Sequence, residues 1–75
     1  MPDGGFKSLI KANLQHPAET GQLGSETMAI KMDIDKLEAE DPALAATLRK
    51  DLEELNKASS PSAVKAKAKA MADKL

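Results

Sequence analysis

Two dipeptides, Asp41-Pro42 and Ser60-Pro61, constrain this chain more than anything else in it. Each places a side-chain oxygen directly before a proline. Asp and Ser are favoured N-cap residues because that oxygen accepts from an orphan backbone N–H of the first turn. Proline suits the first helical position, where its missing N–H would have had no partner. The residues after each pair are helical in period. Leu44, Leu48, Leu52 and Leu55 make one stripe, widened by Ala45, and Glu53 and Lys57 have the spacing of a favourable ion pair. Val64, Ala68, Met71 and Leu75 make a second, narrower stripe. Helices over 42–58 and 61–74 are predicted, separated by "NKASSPS". Lys65, Lys67 and Lys69 alternate with alanine as a strand would. A strand would leave only alanine for its core face, whereas alanine is the strongest helix former.

The first half carries weaker punctuation. Phe6, Leu9, Ile10 and Leu14 form an apolar stripe, predicting a helix over 5–15 with Asp3 available as its cap. Pro17 disfavours helical backbone at His16, so 16–24 reads as a loop, with Leu23 pinning it to the core. In the next segment Ser25 is a suitable N-cap and Glu26 suits a first turn. Met28, Ile30, Met32 and Ile34 nevertheless alternate with Ala29, Lys31, Asp33 and Asp35, which is a strand pattern. Helix over 26–40 is the preferred reading. The residue types favour it, and no other segment offers a strand to pair with. On a helix, Ile30, Ile34 and Leu37 share one face and Met28 and Met32 lie nearly opposite. This element therefore has two apolar faces: one packs inside, and the other needs a second cover, from the last helix, from the N-terminal helix, or from a partner or second copy.

The expected fold is all-α: one small domain over 1–75, a bundle of three to four short helices that a second copy could complete as a dimer. Seventy-five residues bury only about 60% of their unfolded surface, so stability is thin. The candidate core is Phe6, Leu9, Ile10, Leu14, Leu23, Met28, Ile30, Met32, Ile34, Leu37, Leu44, Leu48, Leu52, Leu55, Val64, Met71 and Leu75.

Composition removes several functions. There is no cysteine, hence no disulfide and no thiolate metal site. Phe6 is the sole aromatic residue, which disfavours stacking on unpaired bases. No run approaches a membrane span, and the first residues lack the pattern of a secretory signal. A cytoplasmic protein is the expectation. The net charge of −1 conceals polarity. Residues 25–41 carry Glu26, Asp33, Asp35, Glu38, Glu40 and Asp41 against Lys31 and Lys36, a net of −4. Residues 61–75 carry Lys65, Lys67, Lys69 and Lys74 against Asp73, a net of +3. Mutual attraction would set the lysines of the last helix against the acidic second segment.

Fragments that imitate active-site motifs are each incomplete. Ser8 and Lys11 have the S-x-x-K spacing but none of its partner motifs. "GGFKS" lacks the glycines of a phosphate loop. A calcium loop starting at Asp33 would need an oxygen ligand at Leu37, glycine at Glu38 and a carboxylate at Leu44. His16 is the sole histidine, too few for an ordinary zinc site, and no nucleophile is marked to pair with it. No cofactor, no metal and no enzymatic activity are expected. The four C-terminal lysines, with no arginine beside them, could attract phosphate but not read bases. The Val64, Ala68, Met71, Leu75 stripe is too small to anchor in a membrane.

The function read from the residues is a small non-catalytic interaction or regulatory module that docks an apolar helix face on a partner protein or on a second copy of itself. The residues expected at that surface are Met28, Met32, Lys65, Lys67, Lys69 and Met71. The alternative is a nucleic-acid-associated accessory protein that uses the lysine-rich last helix.

Overall fold

The computed structural model describes residues 5–75. Four helices follow one another: α1 Gly5–Thr20, α2 Glu26–Leu37, α3 Pro42–Lys57 and α4 Pro61–Asp73. No strand occurs among the described residues, so the alternating second segment is helix. Asp3, the expected cap of α1, lies outside the described residues.

Both cap-proline pairs act as the sequence predicts. Asp41 Oδ1 accepts from the Leu44 N–H at 3.1 Å, and Ser60 Oγ accepts from the Ala63 N–H at 3.2 Å. Ser25 differs. Its backbone is already helical and its side chain caps nothing; Thr27 Oγ1 instead donates to the Gly24 carbonyl at 3.1 Å. At its other end α2 stops at Leu37, short of the expected 40, and residues 38–40 form a turn.

The larger departure is at Pro17. Helix α1 does not stop at residue 15 but runs through the proline to Thr20. A proline in a helix forfeits one hydrogen bond and crowds the preceding turn, a cost of about 3 kcal/mol. Here it is offset by burial, since the Pro17 ring is fully enclosed. The carbonyls of the last turn also find donors: Thr20 Oγ1 bonds the His16 carbonyl at 2.8 Å and the Gly21 N–H bonds the Pro17 carbonyl at 2.9 Å. Gly21 ends the helix with φ +73°, in the left-handed region. A Cβ there would stand 2.7–2.9 Å from backbone and ring atoms of Pro61, so the start of α4 rests directly on this glycine.

Each helix packs on its neighbours in a closed order: α1 on α2, α2 on α3, α3 on α4, and α4 back on α1. Contacts between α1 and α2 pair His16 with Glu26 and Phe6 with Lys36, so these helices run antiparallel. Gly21 against Pro61 and Lys11 in one groove with Lys69 and Asp73 give the same sense to α1 and α4. Ile10, Leu14, Ile30, Ile34, Leu37, Ala45, Leu48, Leu52, Leu55, Val64, Ala68 and Met71 form one continuous core. The accessible surface is 4505 Å², against about 11,600 Å² for an unfolded chain of this mass, so roughly three fifths is removed from water.

Candidate functional site

Burial divides the expected partner-binding residues. Ile30, Ile34 and Leu37 point inward from α2, and the opposite side of the same helix leaves Met28 71% and Met32 57% exposed. Neither is core, and no helix of the described chain covers them. On α1, Leu9 is 50% exposed instead of completing the inner stripe. Ile10, Leu14 and Pro17 define the buried side of α1, and Leu9 sits about 100° from Ile10 on the wheel, at the edge next to α2. The antiparallel register that sets His16 beside Glu26 and Phe6 beside Lys36 puts Leu9 at about the height of Met32 and Asp33 along the helix pair. Phe6 is half-buried, with the Lys36 ammonium 5.9 Å from its ring centroid. Leu9 could have been found in the sequence only by knowing which side of Phe6, Ile10 and Leu14 would face inward.

Met71 leaves the candidate surface altogether: it is fully buried, as its place in the Val64–Ala68 stripe requires. The lysines of α4 split into two flanks. Lys67 and Lys74 turn toward α3, where Asp51 is a carboxylate only 6% exposed within the core wall. Lys67 Nζ lies 3.3 Å from Asp51 Oδ1 and 2.5 Å from Glu54 Oε1, and Lys74 bonds Asp51 Oδ2. Burial pushes the Asp51 carboxyl up, but hydrogen bonds from Lys74 and Lys67 outweigh it and hold the group below the usual aspartate range. Glu54 raises the Lys67 ammonium above the usual lysine range, and desolvation opposes this less than Glu54 and Asp51 together favour it. Lys65 and Lys69 turn away from these acids.

The expected pairing of the last helix with the acidic second segment does not occur. Helices α2 and α4 are diagonal in the bundle, with no Cα atoms of the two within 8 Å of each other, and no ion pair among the described residues joins them. Three acids of the second segment, Glu26, Asp35 and Glu38, pair elsewhere. Asp35 and Glu38 both take the Arg49 guanidinium of α3 at 2.6 Å. Glu26 accepts from His16 Nδ1 at 2.7 Å, and that bond, with backbone donors, holds its carboxyl below the usual glutamate range.

A groove of about 230 Å³ runs between α1 and α4. Leu14, Ala18 and Ala72 make its apolar part, and Lys11, Lys69 and Asp73 stand at its edges. Among the described residues no three His, Asp or Glu side chains are grouped to hold a metal ion, and no helix is long and apolar enough to cross a membrane. Comparison with protein-family models, with curated proteins and with solved structures finds no match.

Proposed function

We propose that this chain is a non-catalytic protein-interaction module, and that its docking surface is the outer face of α2, Met28 and Met32, extended by Leu9 of α1. The observation that carries this reading is the exposure of both methionines on a helix whose other side is fully buried. Flexible, polarisable thioethers suit adaptable contacts. The four-helix frame holds that face in place.

The size of the face decides between partners. At the observed exposures the three side chains present on the order of 300 Å², comparable to the largest apolar patch of an ordinary monomer. A stable specific interface takes roughly 800 Å² per partner. Covering about 300 Å² is worth about 7 kcal/mol gross at 25 cal/mol per Å², much of it consumed by the cost of association. The reading is therefore reversible docking on a partner, at micromolar affinity or weaker, and not a constitutive homodimer. The nucleic-acid alternative is weakened because Lys67 and Lys74 already hold internal acids.

The test uses wild type and Met28→Glu/Met32→Glu as paired baits, followed by direct titration with the purified captured protein. Saturable one-to-one binding to wild type, at least tenfold weaker with the double variant at unchanged helicity, is the expected result. Equal binding by both proteins would overturn the assignment, as would sedimentation showing a stable dimer at micromolar concentration.

A further inference from the structure

The last helix presents its lysines in two different electrical states. Lys67 and Lys74 are neutralised against α3. Lys65 and Lys69 are one turn apart on the other flank, and neither makes an ion pair among the described residues. Lys7 and Lys11, one turn apart on α1, are likewise exposed and unpaired among the described residues. The groove between α1 and α4 brings the two pairs together, with Lys11 and Lys69 on opposite edges of one apolar trough. In the antiparallel register fixed by Gly21 on Pro61, the four ammonium groups are strung along the seam over about 15 Å, at 1.5 Å of rise per residue. This basic strip is assembled from the two ends of the chain, and neither end shows it alone. Asp73 is the one carboxylate among the residues lining the groove, with Glu19 one turn beyond Gln15 at the Lys65 end. Neither acid has a lysine within ion-pair distance among the described residues.

We infer that the α1/α4 groove, with Lys7, Lys11, Lys65 and Lys69 along it, docks an acidic amphipathic helix of a partner protein. The trough of Leu14, Ala18 and Ala72 has room for one or two aliphatic side chains. Lysine on both edges matches carboxylates flanking an apolar stripe over about three helical turns. A second copy of this chain is the poorer occupant. Among the described residues its acids without a cation partner fall one to a helix, Glu19, Asp33, Glu53 and Asp73, with Glu40 in a turn and Asp41 capping α3. None of its helices therefore carries free carboxylates on both flanks of an apolar stripe, and the other acids are engaged. Asp35 and Glu38 hold Arg49, Glu26 holds His16, and Asp51 and Glu54 hold Lys67 and Lys74. A phosphate backbone would satisfy the charge but leave the apolar trough unused. This surface is separate from the Met28/Met32 face, and its test does not depend on that face.

The probe is a fluorescein-labelled helical peptide of about 18 residues, with leucine along one stripe and glutamate on both flanks, titrated by anisotropy at 50 mM salt. Wild type binds. Lys11→Glu/Lys69→Glu weakens binding at least tenfold, Lys7→Glu/Lys65→Glu at least threefold, and Lys50→Glu/Lys57→Glu on α3 less than twofold. Replacing the peptide's glutamates with glutamine weakens it at least tenfold, and amide shifts on binding centre on Ala18 and Ala72. All these lysines are exposed, and far-UV circular dichroism checks that each variant stays folded. The proposal is overturned by no binding to wild type, or by equal weakening from the α3 variant. It is also overturned if duplex DNA or anionic vesicles bind more tightly than the peptide, which would make the strip a phosphate surface.

Discussion

Asp51→Asn removes the one buried charge among the described residues while keeping its shape. Asp51 is 6% exposed and receives Lys67 and Lys74. A hydrogen bond to a charged group contributes about 1.5–3 kcal/mol when enclosed, and an exposed ion pair contributes about 0–1. Here the acceptor is enclosed, but the donors are wet: the Lys67 side chain is 26% and that of Lys74 40% exposed. Asparagine retains one carbonyl acceptor, so the expected loss is about 1.5 kcal/mol at pH 7. With an unfolding entropy of about 2.1 cal/mol/K per residue, that lowers Tm by about 10 °C. The pH arm is sharper. Because the folded pKa of Asp51 lies below its unfolded value, the stabilisation is complete above about pH 5 and is lost as pH falls through the folded pKa. Thermal melts of both proteins from pH 7 to pH 2 should therefore converge at the acid end. A Tm difference below about 2 °C at pH 7, or one that persists undiminished at pH 2, would refute the reasoning.

Gly21→Ala and Gly21→Asn should both destabilise by about 2 kcal/mol or more in chemical denaturation. Asparagine tolerates the left-handed backbone but not the contact with Pro61, so a near-native Gly21→Asn would show that the close approach does not matter. Leu48→Ala should cost about 2–5 kcal/mol, a large share of the total for a domain this small, whereas Leu9→Ala should cost less than about 1 kcal/mol. His16→Ala should let the Glu26 carboxyl titrate at a higher pH than in wild type, read by carboxyl-carbon NMR. The stability from that pair should be present above about pH 5 and fade as pH falls through the folded Glu26 pKa.

The elements that the sequence makes legible are those whose signals are local. Asp41-Pro42 and Ser60-Pro61 start helices because cap and proline act within one turn, and the leucine stripe of α3 faces inward because nothing competes with it. Pro17 misleads for a non-local reason: the burial of its ring in the folded bundle offsets the backbone bond it forfeits. The helix in the second segment was readable, but whether Met28 and Met32 were covered depended on where α1 and α4 came to rest. Charge was the least legible. Block sums place an acidic segment and a basic tail in opposition, yet closure of the bundle sets those two helices on a diagonal. Asp51, from a charge-balanced segment, became the partner of Lys67 and Lys74. The strip that joins Lys7 and Lys11 to Lys65 and Lys69 depends on α4 closing back on α1, which no local pattern encodes.

The most direct test of the proposed docking face is the thermal unfolding of Met28→Glu/Met32→Glu. Surface substitutions move stability by about 0.5 kcal/mol or less each, so the double variant should melt cooperatively within about 6 °C of wild type. A fall of about 15 °C or more, or loss of the cooperative transition, would place both methionines in the core and contradict the reading of α2 as a helix with a free outer face.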